Sequence, residues 1–487
     1  MRLSERLTHW WVELGPRYLP FADVATDDLP LRRLLRLSLF QVSTGMVLVL
    51  LIGTLNRVMI VELSVPASLV GLMLALPLVF APFRALIGHQ SDTHRCALGW
   101  RRVPFIWKGT LWQFGGFAIM PLALLVLAGK MEAANTPLWI GYSSAALSFL
   151  LVGAGVHTAQ TAGLALATDL TPRESHARVV GLMYVMLLVG MIASALVFGE
   201  ALENFSPGRL IQVIQGCALI TLVLNSVAMW KQETRDPRRH KKPSEPDPTF
   251  TESWQEFCAG SDTRRRLAIV GVGTMAFAMA DVLLEPFGGQ VLGMSVAATT
   301  KLTALLALGG LIGFAFASRQ VNRGKDPYIM AQYGTMIGLP AFALVIAAAP
   351  LGQLSLFLAG NFLIGFGGAL FGHGTLTATM HRAPEKQAGL AVGAWGAVQA
   401  TAVGVAMASS GALRDLAVQL WGAGDGLFGL GGTATAYFAV YATEITLLIV
   451  TALATIPLLR GVQQRRQRRS RGDDNEPSEP ITSGRTA

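Results

Sequence analysis

Twelve predominantly apolar stretches, each about as long as a helix needs to cross a bilayer, dominate this 487-residue chain. They run over roughly 37–61, 67–88, 104–129, 138–168, 177–199, 210–230, 267–288, 296–318, 327–349, 352–380, 388–411 and 433–459. Charged residues make up 14% of the chain, against about 25% in ordinary soluble proteins. The 52 glycines fit as well, because membrane helices tolerate glycine better than soluble ones do. A soluble enzyme, a disordered scaffold and a disulfide-rich secreted domain are excluded. The expected fold is an all-α membrane protein with twelve transmembrane helices.

Basic residues set the orientation. With the N-terminus inside, 34 of the 39 Lys and Arg fall on the inner side, and the remainder are Arg57, Lys130, Arg209, Lys301 and Arg414. The positive-inside rule then places both termini and the central loop in the cytoplasm. The formal charge of +9 follows from these loops facing anionic lipid and calls for no nucleic acid. The expected organisation is a cytoplasmic segment 1–36, a six-helix half 37–230, a basic linker 231–266, a second half 267–459 and a tail 460–487. In the first segment Leu3, Leu7, Trp10, Trp11 and Leu14 recur at helical spacing among charges, as in an amphipathic surface helix. The Pro- and charge-rich linker and tail read as solvated and flexible. Cys96, Cys217 and Cys258 have no metal-like or paired spacing.

The halves echo one another. ELSVPASLVGLMLALPLVF after the first span is matched by GMSVAATTKLTALLALGGLIGF after the seventh. Two related six-helix halves resemble the architecture of the major facilitator superfamily, in which spans 1, 4, 7 and 10 would line a central cavity. That superfamily's loop signature G-x-x-x-D-R-x-G-R-R is partly present. Gly88 and Asp92 begin it and Arg101 and Arg102 end it, with four extra residues between.

Ionisable residues within spans cost a few kcal/mol unless paired, about 3 by insertion scales, so each marks a site to be explained. Arg57 lies late in span 1, and Asp281 and Glu285 lie one turn apart in span 7. An Arg57 pair with Asp281 or Glu285 is expected, either as a structural latch or as a gate and polar-ligand contact. Asp169 reads as a helix-end residue, Glu62 and Glu200 as solvated, and Glu444 has no evident partner. His157 and Gln160 in span 4, and His373 in span 10, sit in glycine-rich stretches. A neutral imidazole there suits the metal of a flat macrocycle, or alternatively a hydrogen bond between closely packed helices. No Ser/His/Asp set, Walker loop, GxGxxG or HExxH stands in a fitting context, so no enzyme site is expected.

The strings TLNRVMIVELSVP, LPLVFAPFRALIGHQSDTHR, GWRRVPFIW, HTAQTAGLALATDLTPRES and DVLLEPFGGQVLGMSV carry a more specific resemblance. The chain resembles the bacteriochlorophyll-delivery family of PucC/LhaA type, the light-harvesting complex assembly proteins of the major facilitator superfamily, and looks closest to the LhaA branch tied to the core antenna LH1. The resemblance implies a non-enzymatic carrier in the inner membrane of a purple bacterium. Its cargo would be bacteriochlorophyll, with carotenoid as a second pigment. Its partners would be LH1 antenna polypeptides, the pigment synthase and the assembling reaction-centre core. A secondary transporter of a small solute and a pigment-free scaffold are the competing readings.

Overall fold

The computed structural model describes residues 30–80, 87, 90–91, 100–129, 136–172, 175–233, 263–381, 388–421 and 426–470. The expected surface helix of residues 1–29 lies outside this set, as do Gly88, Asp92, most of the linker and the last residues of the tail. The described chain forms twelve apolar helical units. They are α1 (Leu31–Glu62), α2 (Ala67–Leu78), α3 (Val103–Leu127), α4 (Leu138–Asp169), α5 (His176–Ala201) and α6 (Pro207–Met229). The second set is α7 (Thr263–Gln290), α8 (Val296–Asn322), α9 (Pro327–Ala348), α10 (Leu354–His381), α11 (Ala388–Trp421) and α12 (Gly431–Ser470). Eleven are long and apolar enough to cross a membrane, and α2 is shorter within the described residues. The chain is a multi-pass membrane protein.

Several ends differ from the sequence expectation. The first helix starts at Leu31, and Arg264, Arg265 and Arg266 already belong to α7. The tail stays helical as far as Ser470, because VQQRRQRR is a run of mostly good helix formers. Helix starts follow local chemistry. Ser295 and Asp326 cap α8 and α9 by accepting from the backbone N–H groups of Ala298 and Tyr328. The N-terminus of α3 is capped from outside its own segment. The Glu233 carboxylate, just beyond α6, accepts from the backbone N–H groups of Arg101, Arg102 and Val103 at 2.7–3.0 Å.

Helices α1–α6 pack mainly on one another, as do α7–α12. The two broadest contacts between the sets are α2 on α11 and α5 on α8. Exchanging each helix for its counterpart six places away in the other half (α2 for α8, α11 for α5) turns the first pair into the second, as an internal repeat requires. Close approach at these crossings depends on glycine. A Cβ on Gly71 or Gly411 would collide with the backbone of Met407 or Ala67 on the facing helix.

The apolar core shows where the halves meet. The largest cluster includes Met59, Val70, Leu283, Phe287, Met407 and Tyr437, and so spans both halves. Toward the face that carries Arg33, Arg101 and Arg264 (the basic face) the clusters separate. One holds Leu34, Phe40, Ile106 and Leu182, and another holds Ile269, Tyr328, Phe371 and Leu458. Among the described residues, the halves are joined near the opposite face and part toward the basic one. Polar contacts at the join agree: Lys301 pairs with Glu200 at 3.3 Å, and the Asp415 carboxylate accepts from the backbone N–H groups of Ala67 and Ser68 at 3.3 and 2.7 Å.

Asp415 thus caps α2 from the other half. Asp415→Ala is expected to cost about 1–2 kcal/mol, seen as earlier thermal unfolding in detergent, with Asp415→Asn retaining most of it. Equal melting of all three proteins would show that the cap contributes nothing.

Candidate functional site

A cavity of about 350 Å³ lies between α5 and the second half. Its wall is mostly apolar and aromatic, with Phe277, Phe314, Phe371, Trp395 and Tyr184 on five different helices. Polar groups are few: Thr274, Asp281, His373 and Gln399. By position along the helices, Leu376 and Trp395 stand nearer the basic face, and Asp281 stands at the other end. Trp395 is fixed by its indole N–H, which donates to Thr375 at 3.2 Å.

The glycines of α10 divide into two sets. Gly360, Gly365, Gly367 and Gly374 are pressed against the backbones of neighbouring helices, whereas a Cβ on Gly372 would meet nothing within 4 Å. Gly368 and Gly372 line the cavity and leave a smooth strip of wall beside His373. His373 touches Phe314 edge-on at 4.6 Å, and no hydrogen bond engages its ring among the described residues.

The expectation that spans 1, 4, 7 and 10 share the lining is corrected. Helices α7 and α10 line this cavity, together with α5, α8 and α11, and α1 and α4 contribute no residue. The glycines of α4 serve packing: Gly153 sits on Pro77 of α2 and Gly155 on Gly109 of α3. His157 and Gln160 therefore lie outside the lining. Gln160 is buried and donates to Gln41 of α1 at 3.2 Å.

The expected ion pair is also replaced. Arg57 reaches neither Asp281 nor Glu285. Its guanidinium pairs with Glu62 and donates to the Met294 carbonyl at 3.1 Å. The cause is local. Helix α1 widens to i→i+5 hydrogen bonding over Val49–Leu55 and Val58–Glu62, which puts Glu62 in register with Arg57. Glu62 is accordingly an ion-pair partner, and Glu200 is another. The α1 side chain that hydrogen-bonds to α7 among the described residues is Asn56. Pro286 lacks an N–H, so the Val282 carbonyl has no helical donor, and the Asn56 amide supplies one at 3.2 Å while also bonding the Asp281 carbonyl at 3.1 Å.

The acids stay behind without a cation. The Glu285 carboxylate accepts from the Thr303 hydroxyl at 3.0 Å through one oxygen, and its other oxygen has no partner. Glu444 is fully buried with both oxygens unpartnered. At the basic face, Arg101 and Arg102 of the loop motif both bind Asp169, Arg102 at 3.0 Å, and Arg102 also donates to Ser91 at 2.6 Å. The motif's second half thus ties α4 to the chain after α2, within one half of the protein. Sequence reasoning missed Asn56, Glu233, Trp395 and Gln399. The one signal it could have used is Pro286, whose missing donor asks for a polar side chain opposite.

A family profile described as PUCC protein matches residues 54–463. The chain belongs to the PUCC family. A protein named PucC from Rhodovulum sulfidophilum is 62% identical over 416 residues, 85% of this chain and 92% of that one. PucC of Cereibacter sphaeroides is 56% identical over 459 residues, 94% and 98% of the two chains. A more distant relative in Rhodobacter capsulatus, 28% identical over 86% of this chain and 94% of its own, bears the name bacteriochlorophyll synthase 44.5 kDa chain. The fold is that of the major facilitator superfamily. A bacterial homologue of the human lysosomal transporter Spinster, in its inward-facing and unoccupied conformation, superposes with a TM-score of 0.63 at 16% identity, covering 88% of this chain and 97% of that one. At that identity the likeness speaks for the fold alone.

The geometry predicts which acid Arg57 needs. In a double-mutant cycle on thermal stability, Arg57→Ala and Glu62→Gln should couple by about 0.5–3 kcal/mol, and Arg57→Ala with Asp281→Asn should be additive. The reverse pattern would restore the pairing across the halves.

Proposed function

We propose that this protein holds a bacteriochlorophyll-type pigment in the cavity between α5 and the second half and hands it to antenna polypeptides during light-harvesting complex assembly. The observation that carries this is the cavity wall: aromatic and apolar surfaces, a glycine strip against which a flat ring can lie, and one imidazole, His373, with no competing hydrogen bond. Neutral imidazole is a good ligand for a macrocycle metal. The chemistry fits the need, since a free pigment is apolar, aggregates, and is hazardous in light. The cavity volume lies in the range of small-molecule sites, and its wall suits the flat apolar face of a macrocycle. Carotenoid is a second cargo that such a wall would accept.

The name of one relative, a bacteriochlorophyll synthase chain at 28% identity, supports the pigment reading, and the PucC relatives at 56–62% identity support a role in light-harvesting complex assembly. Partners in this reading are the antenna polypeptides, the pigment synthase and the reaction-centre core, all in the inner membrane of a purple bacterium. The basic face, with both chain ends and the linker, is cytoplasmic by the positive-inside rule.

The test is the near-infrared absorption of the tagged protein purified from its native pigmented membranes in mild detergent, with mass spectrometry to identify co-purifying antenna or reaction-centre chains. A bacteriochlorophyll band at reproducible stoichiometry is expected, several-fold weaker in His373→Phe and in Gly372→Leu and unchanged in His157→Phe. A colourless protein that retains antenna chains would replace this reading with a scaffold. One that retains neither would bring the solute transporter forward.

A further inference from the structure

The cluster of Asp281, Glu285 and Glu444 has no role in the pigment reading, and its state is physically unusual. A carboxylate inside a spanning bundle needs a cation, a set of donors or a proton, because several kcal/mol stand against leaving it charged and alone. Asp281 and Glu285 stand one turn apart on α7. Tyr441, three residues before Glu444 on α12, donates to the Leu283 carbonyl between them at 3.3 Å, which brings Glu444's stretch of α12 against the same part of α7. Among the described residues Asp281 makes no side-chain hydrogen bond, Glu285 makes one, and Glu444 makes none.

The groups that face the cluster do not neutralise it. From α1 come Asn56, bonded to backbone carbonyls, and Arg57, engaged by Glu62 and Met294. From α11, Arg414 is held by Asp415 at 3.0 Å and by Gln290 at 2.8 Å. From α12, Tyr441 donates to the Leu283 carbonyl at 3.3 Å and Tyr437 to Gln290 at 2.7 Å. From α8 comes the hydroxyl of Thr303, from α9 the ring of Phe342 against Tyr441, from α5 Tyr184, and from α10 His373 across the cavity. No described set of acids and histidines is arranged to hold a metal ion. Neither oxygen of Glu444 has a hydrogen-bond partner among the described residues, so donors do not neutralise it either.

What remains is a proton that comes and goes, and the structure contains a route for it. Asp281 belongs at once to the cluster and to the cavity wall. We propose that Asp281, Glu285 and Glu444 form a proton-binding site whose occupancy is linked to the filling of the cavity. An apolar occupant displaces water from Asp281, and the proton affinity of a carboxyl depends on that water. Release of the occupant and movement of a proton are then two readings of one equilibrium, and each must bias the other to the same extent. This link is independent of which apolar ligand the cavity takes.

The experiment is pH-difference infrared spectroscopy on the full chain, made pigment-free and reconstituted in phospholipid bilayers. The wild type should show a protonated-carboxyl C=O band that grows and fades between mildly alkaline and mildly acidic buffer. Asp281→Asn, Glu285→Gln and Glu444→Gln should each remove part of it, and the triple variant should lack it. Gly372→Leu, whose side chain enters open space in the cavity, stands in for an occupant and should displace the midpoint. Each variant is compared at equal melting temperature and size-exclusion profile. A band that no acid substitution alters would overturn the proton site. A band that titrates through these acids with the same midpoint in Gly372→Leu would overturn the link to the cavity. Neither result depends on bound pigment, so the proposal stands or falls apart from the pigment reading.

Discussion

Two helix crossings, α2 on α11 and α5 on α8, decide how the rest of this molecule is arranged. In lipid there is no hydrophobic drive to bring two apolar helices together, so close association has to come from packing. At the first crossing glycines let backbone meet backbone. The continuous apolar core, the cap that Asp415 places on α2 and the Lys301–Glu200 pair all cluster near the same face. With the halves anchored there, the space left between them opens the other way, and the cavity is a consequence of where the anchors lie.

The second organising fact is that polar backbone freed inside the bilayer is repaired locally. Pro286 deprives Val282 of its donor, and Asn56 restores one from the facing helix. The same stretch of α1 is widened, and that widening gives Arg57 a partner on its own helix. The consequence for α7 is that its two acids, freed from the only nearby arginine on α1, keep company with Glu444 instead.

Much of this fold was legible in the sequence. Window lengths located the helices, and the echo between ELSVP and GMSVA anticipated the symmetric crossings. The site was harder to read. Nearly every helix is apolar around its whole circumference, so periodicity cannot say which face is inward. That is why the glycines of α4, which pack on α2 and α3, looked like those of α10, of which three line the cavity. The Arg57 pairing failed for a similar reason, because a local change of helical pitch leaves no mark in residue spacing. Glu233 was invisible because a cap supplied from more than a hundred residues away has no local signature.

The parting of the two halves toward one face also bears on energetics of traffic. In the proposed pigment reading, a pocket closed on one side would take up and surrender its guest from the other side alone. In that reading nothing has to be carried across the membrane. Under it the protein would act as a berth, and the direction of traffic would be set by which neighbour binds the guest more tightly.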